Sequence, residues 1–212
     1  MEIYHHAELS QKRWGGQAED YFDIHGLIDS TKVLCSDNRH RVLHTIWAVK
    51  EVVIPVFGEV MTNQDGRSVD VKALCEKDHL LVDYQHRFIP TLGDFVDAMD
   101  DMPDNGWIQR LERFHTDVVQ DAAWSARLMS PLAATGKLKS LLLTHNSWFI
   151  NSILPKIGGF KPLWMDFDIA PSLFFNAMRF ELWMDNGVDY PASARNMAKI
   201  WVNSNDVSLE WV

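Results

Sequence analysis

The stretch from Asp37 through Asn38, Arg39, His40, Arg41, Val42, Leu43 and His44 to Trp47 and Glu51 constrains this chain most. Carboxylate, guanidinium and imidazole crowd into little more than one turn, and an apolar run follows. Read at 3.6 residues per turn, Asp37, His40, His44, Trp47 and Glu51 share one face. Val42, Ile46, Val49 and Val53 lie toward the other. A helix of this kind must bury its apolar side against other elements and offer its polar side to a partner or a site. Ser36 or Asp37 serves as its N-cap, and it is expected to stop before Pro55.

Two further helices repeat the device. One runs from Glu19 or Asp20 to about Cys35 and carries His25, Asp29 and Lys32 on one face. The other spans about Lys72–Tyr84 and carries His79 and Asp83. Donors at i and i+4 stand one helical pitch apart, so two such helices facing each other can close several ligands on one ion. Mixed imidazole and carboxylate ligation suits zinc, manganese or iron rather than calcium. The expected metal ligands are His25, Asp29, His40, His44 and His79. Lys32 and Arg41 would hold an anionic group, and Asp83 would orient a ligand or act as a base. The competing reading makes each pair an ordinary helix ion pair or a satisfied core histidine. There is no His-Asp dipeptide, no H-E-x-x-H, no G-x-S-x-G, no Walker A loop and no G-x-G-x-x-G.

Between the second and third of these helices, residues 59–72 alternate with strand period around Asn63-Gln64-Asp65-Gly66, which predicts a β-hairpin. Residues 1–18 read as a short polar segment ending in a Trp14-Gly15-Gly16 turn. Thr91 and Asp94 form a capping-box-like start for a helix over 92–99. Asp100–Gly106, rich in acidic residues with Pro103 and Asn105-Gly106, marks a boundary between a site-bearing part, 1–105, and a second part, 106–212. Helices are expected there over 107–129, 137–154, 171–185 and 191–203, with no internal repeat at a fixed period. The fold class is mainly α: a helical bundle with one small β-hairpin.

Composition narrows the functions. A formal net charge of −9 argues against general nucleic-acid binding. Cys35 and Cys75 stand in no paired motif and read as buried, reduced thiols of a cytoplasmic protein. No apolar run reaches membrane-spanning length, and no signal peptide is recognised at the N-terminus. Seven of the nine tryptophans lie from Trp107 onward, which makes the second half the apolar one. Trp107, Trp124, Trp148, Trp183 and Trp201 suit a core. Trp164 and Trp211 suit a surface for a homo-oligomer or partner.

Over about residues 6–97 the chain resembles an uncharacterised family of short proteins from bacteria and their phages. The residues carrying the resemblance are His6-Ala7-Glu8 with Ser10, Gly15-Gly16, Asp20-Tyr21, Ile24-His25, Asp29-Ser30 with Lys32, Asp37 with Arg39-His40-Arg41, Leu43-His44, Phe57-Gly58, His79 and Ile89-Pro90-Thr91. Thr31 departs from the pattern by separating Ser30 from Lys32. The resemblance implies that these polar residues belong together, and it implies a bacterial or phage-infected host cell. It brings no activity. From the residues, the leading expectation is a metal-dependent hydrolase acting on a phosphorylated or nucleotide-like small molecule. The alternative is a non-enzymatic phage-type protein that binds a host factor or sequesters a small anionic signalling ligand.

Overall fold

The computed structural model describes residues 2–35, 38–101, 106–158 and 170–178. The chain is mainly helical with a single two-stranded hairpin among the described residues. The described residues form two compact units, one within 2–94 and one within 95–178. The expected helix over 191–203 and the second half of the one over 171–185 lie outside the described residues, as do Trp164, Trp183, Trp201 and Trp211. No described helix is long and apolar enough to cross a membrane.

In the first unit, α1 (Ile3–Trp14) replaces the polar segment expected at the N-terminus. His6, Ala7 and Ser10 are its buried residues, spaced 1, 3 and 4 apart on one face. Gly15, at φ 87°, ends the helix, and Gly16 follows at φ 70°. A 3-10 turn (Ala18–Tyr21) leads into α2 (Phe22–Ile28) and a second 3-10 segment (Asp29–Val33).

The helix expected from 37 to 53 is not continuous. Asn38–Leu43 is a 3-10 helix, His44 and Thr45 break it, and α3 (Ile46–Ala48) restarts under a cap in which Ala48 N–H donates to the Thr45 hydroxyl. A π-helical turn (Val49–Val53) and α4 (Ile54–Phe57) follow. Pro55 lies inside the continuous helical run 46–57 rather than beyond it, directly after the π turn, the kind of irregularity in which a helix absorbs a proline.

β1 (Val60–Thr62) and β2 (Ser68–Asp70) pair antiparallel, Met61 opposite Val69. The hairpin tip grips the end of α1. Asn63 Nδ2 donates to the Trp14 carbonyl at 3.1 Å and to Tyr21 Oη at 3.1 Å, and Gly16 N–H donates to Asp65 Oδ2 at 2.8 Å. A Cβ on Gly16 would lie 2.9 Å from Asn63 Cβ, so this grip requires glycine. α5 (Val71–Cys75), a π turn (Glu76–Leu80) and α6 (Leu81–Asp83) form the third site-bearing segment. Cys35 and Cys75 are buried and form no disulfide. Thr91 and Asp94 cap α7 (Leu92–Asp97) as expected, Thr91 N–H donating to Asp94 Oδ2 at 2.8 Å.

In the second unit the helix expected over 107–129 divides. α8 (Trp107–Arg113) passes into a π turn (Phe114–Val119), and Gln120 breaks it at φ 49°. Asp121 then caps α9 (Ala122–Leu128), followed by α10 (Ser130–Thr135). Leu138–Leu143 is a 3-10 helix, Phe149–Ile153 a π turn, and α11 (Leu154–Gly158) contains Pro155. α12 is Pro171–Ala177. Phe114, Leu128, Leu141, Leu142, Phe149 and Ile153 form its core.

Candidate metal centre

Each site-bearing segment of the first unit supplies donors through a local irregularity. α1 presents His6 and Ser10. α2 presents His25, and Asp29 is the residue that caps its C-terminus. His44 follows the 3-10 helix at the break before α3. The π turn buries the consecutive residues Asp78 and His79 completely. Asp83 closes α6, one helical turn beyond His79.

The donors converge. Ligand atoms of Asp29, His44, His79 and Asp83 all lie within 4.8 Å of one another. His44 Nε2 is 3.0 Å from Asp83 Oδ2, 3.3 Å from Asp29 Oδ1 and 3.1 Å from His79 Nε2. His79 Nε2 is 3.6 Å from Asp29 Oδ1 and 3.9 Å from Asp83 Oδ2. Four ligands held about 2.1 Å from an ion at tetrahedral angles stand about 3.4 Å apart, and these five separations scatter around that value. All four residues are buried.

The proton inventory points the same way. The carboxylate of Asp78 receives Arg13 Nε at 2.6 Å and Trp14 Nε1 at 2.7 Å. A carboxylate so held is an acceptor, so the Ser10 hydroxyl, 3.2 Å from it, is the donor. Ser10 Oγ then accepts from His25 Nε2, 2.9 Å away. That leaves His25 Nδ1 as an acceptor for His79 Nδ1–H at 3.0 Å, and His79 Nε2 as a lone pair aimed at the cluster. His6 Nδ1 faces the Asp78 carbonyl at 2.7 Å and must donate, so neutral His6 turns a second lone pair, on Nε2, toward Asp83 Oδ1 at 3.3 Å. These tautomers follow from the partners each ring has. His6 Nε2, Asp29 Oδ1 and His44 Nδ1 are buried without a hydrogen-bond partner.

Charge makes the requirement explicit. Burial pushes the His25 imidazole down to about 3, with His6 nearby adding to the effect, and burial holds His79 well below its ordinary range. Burial opposes ionisation of Asp29, and donation from His44 and His79 lowers its pKa; donation from His44 and His6 does the same for Asp83. Where the ring nitrogens facing the carboxylates carry lone pairs instead, a cation must take over that role. Two ionised carboxylates and inward-facing imidazole lone pairs share a space closed to water. This buried Asp–His–His–Asp group could hold a metal ion, which would take the inward-facing Asp29 Oδ1, His44 Nε2, His79 Nε2 and Asp83 oxygen together; His44 Nδ1, on the far side of its ring, is not among those donors.

Of the residues singled out from the sequence, Asp29, His44, His79 and Asp83 come together here. His25 stands behind His79 rather than in the ring of donors, where it fixes the tautomer. His40 stands apart: it is half-buried, its ring centroid is 5.6 Å from that of His44, and its carbonyl accepts from Thr31 Oγ1. Lys32 Nζ donates to Asp29 Oδ2 at 2.8 Å, so it sits beside the cluster. Arg41 lies 5.3 Å from the Tyr84 ring centroid, with its Nε buried and without a hydrogen bond. His6, Ser10 and Asp78 were not singled out for chemistry. The signal for them was the 1-3-4 spacing of His6, Ala7 and Ser10, which reads as a buried helix face with polar members.

Residues 1–108 match a protein family described as a domain of unknown function (DUF6915). No curated protein and no solved structure matches the chain.

Proposed function

Since the chain belongs to the DUF6915 family, and membership brings no activity with it, we propose a function from the site itself: a divalent metal centre that serves hydrolysis of a phosphorylated or nucleotide-like small molecule. The observation that carries the proposal is the convergence of Asp29, His44, His79 and Asp83, with His6 at its edge. Two imidazoles with two carboxylates favour zinc, manganese or iron over calcium and magnesium. Such an ion lowers the pKa of a bound water and polarises a phosphoryl oxygen. Lys32 and Arg41 supply positive charge for the anionic group. Arg41 Nε has a donor to give, and Lys32 is about one-third exposed at the side of Asp29.

One observation favours a second reading. His6, His44 and His79 are wholly buried, and closed sites are typical of metals that hold a fold rather than turn over substrate. In that reading the ion fixes a scaffold, and the Lys32 and Arg41 side binds an anionic ligand without hydrolysing it.

Elemental analysis of chain purified without an affinity tag tests the metal. The expectation is stoichiometric zinc, manganese or iron, lost in His44→Ala. A metal-free wild-type chain that is folded would refute the centre. The metal-loaded chain, incubated with a panel of nucleotides and phosphomonoesters, then separates turnover from binding alone.

A further inference from the structure

The two units share an order of elements that the sequence hides. α2 spans 22–28 and α9 spans 122–128. The residue that follows each has nearly the same backbone: Asp29 at φ −82°, ψ −1° and Met129 at φ −84°, ψ −3°. Six-residue 3-10 helices occupy 38–43 and 138–143. Five-residue π turns occupy 49–53 and 149–153, and each leads into a helix with proline at its second position, Pro55 and Pro155. All of these agree at a shift of 100 residues. Six-residue 3-10 runs are uncommon and π-helix is rarer still, so their coincidence at one shift is not the ordinary outcome of packing helices.

The first helices agree after one deletion. α1 ends at Trp14 before a residue of positive φ, Gly15. The α8 and π-turn helix ends at Val119 before another, Gln120. The shift there is 105, because the first unit has seven residues, 15–21, where the second has two, 120–121. At those shifts Ser10 corresponds to His115 and His25 to Ser125. Ser10 Oγ and His25 Nε2 are 2.9 Å apart, and so are His115 Nδ1 and Ser125 Oγ. The same interhelical hydrogen bond is kept with serine and histidine exchanged. The buried apolar positions 42, 43, 49 and 53 correspond to the buried 142, 143, 149 and 153. Between 38–58 and 138–158 only Leu43, Pro55 and Gly58 recur as identical residues, which is why no repeat shows in the sequence.

The two donors that lie within 3–57 do not recur: Asp29 corresponds to Met129 and His44 to Thr144. Among the described residues a set of neutral groups lies beside these positions. His145 Nδ1 faces the Leu141 carbonyl at 3.0 Å and so donates. Its Nε2 then accepts from His115 Nε2–H at 2.9 Å, and His115 Nδ1 accepts from the Ser125 hydroxyl. The Thr144 hydroxyl donates to the Leu128 carbonyl at 2.6 Å. Among the described residues these bonds link neutral groups only.

We infer that residues 107–158 are a second copy of the fold formed by residues 3–57, in which Met129 and Thr144 stand in place of the donors Asp29 and His44, so that of the two copies only the first contributes to a metal centre. The inference rests on the metal reading of the first unit. Metal content of the full chain after dialysis tests it, with an experimental structure for the fold. One ion per chain is expected, lost in His44→Ala and kept in His115→Gln/His145→Gln. Two ions per chain, one of them lost in His115→Gln/His145→Gln, would overturn the assignment of the second copy and leave the first centre intact. No ion in the wild-type chain would overturn the first centre and the inference with it. In the experimental structure, segments 22–28, 38–43 and 49–57 should superpose as a group on 122–128, 138–143 and 149–157; failure to do so would overturn the duplication whatever the metal count.

Discussion

Replacing Asp29 by Asn separates a metal centre from a mere cluster of polar residues, because the two predict opposite signs in one measurement. The carboxylates of Asp29 and Asp83 each place an oxygen within 4.8 Å of the other. At an effective dielectric of about 20, their repulsion at that distance is about 3.5 kcal/mol. Without a cation that repulsion strains the fold, and Asp29→Asn removes it. The variant also gives up the ion pair with Lys32, which is partly exposed and worth at most about 1 kcal/mol. The metal-free variant should therefore be more stable than the metal-free wild type by about 2.5 kcal/mol. For a chain of this length that is about 5 to 10 °C in melting temperature. With metal the order reverses. Losing one anionic ligand weakens binding, and a thousandfold weaker site forfeits about 4 kcal/mol of metal-linked stability. The assay is a thermal melt at pH 8, above the ordinary imidazole range, in excess chelator and in excess zinc or manganese. The curves of variant and wild type should cross between the two conditions. A parallel loss of stability in both would refute the reasoning and make Asp29 an ordinary hydrogen-bonded core residue.

The remaining predictions concern the hydrogen-bond chain and pH. Ser10→Ala removes the acceptor that fixes the His25 proton on Nε2, and with it the constraint on His79 Nε2. Metal affinity, read by competition with a chromophoric chelator, should fall about 10- to 100-fold; unchanged affinity would mean that the His79 tautomer is set by something else. Burial lowers the His145 pKa to about 3, so the unfolded chain binds a proton there that the folded chain does not between about pH 6.5 and 3. Stability should fall through that window as pH falls, by up to about 1.4 kcal/mol per pH unit for this group. Denaturant titrations should show His145→Gln losing one proton's worth of that slope.

Several parts of the site were legible in the sequence because donor spacing on a helix is a strong local constraint. His79 and Asp83, four apart, do face the same space, though a π turn rather than a plain α-helix carries His79 there. Asp29 was found through the same rule, yet it works from the end of α2, with His25 set one layer back. The rule failed at His40 and His44. Residues 38–43 form a 3-10 helix and 44–45 a break, so the pair does not lie on one α-helical face. Nothing in local composition distinguishes a 3-10 run from an α-helix there; tertiary packing decides it. His6 and Ser10 entered only through the family resemblance and were given no chemical role, because a polar N-terminal stretch reads as solvated until its buried partners, Asp78 and His25, are known. The hairpin was legible because Asn63–Gly66 is local turn chemistry. The same holds for Thr91 and Asp94, which cap a helix using only each other.

The donors His6, Asp29, His44, His79 and Asp83 are spread over most of the first unit, and the segments between them are short. The helical runs that carry or adjoin them, 3–14, 22–33, 38–43 and 71–83, are short and mostly irregular, near or below the length at which an isolated helix holds its shape in water. An ion bound by Asp29, His44 and Asp83 is therefore a cross-link among pieces that have little order of their own. During synthesis it cannot form until the chain through Asp83 has left the ribosome. With the proposed metal centre, loading the ion and consolidating the fold would become one event, and the supply of metal at that moment would set how much of the newly made chain reaches its native form.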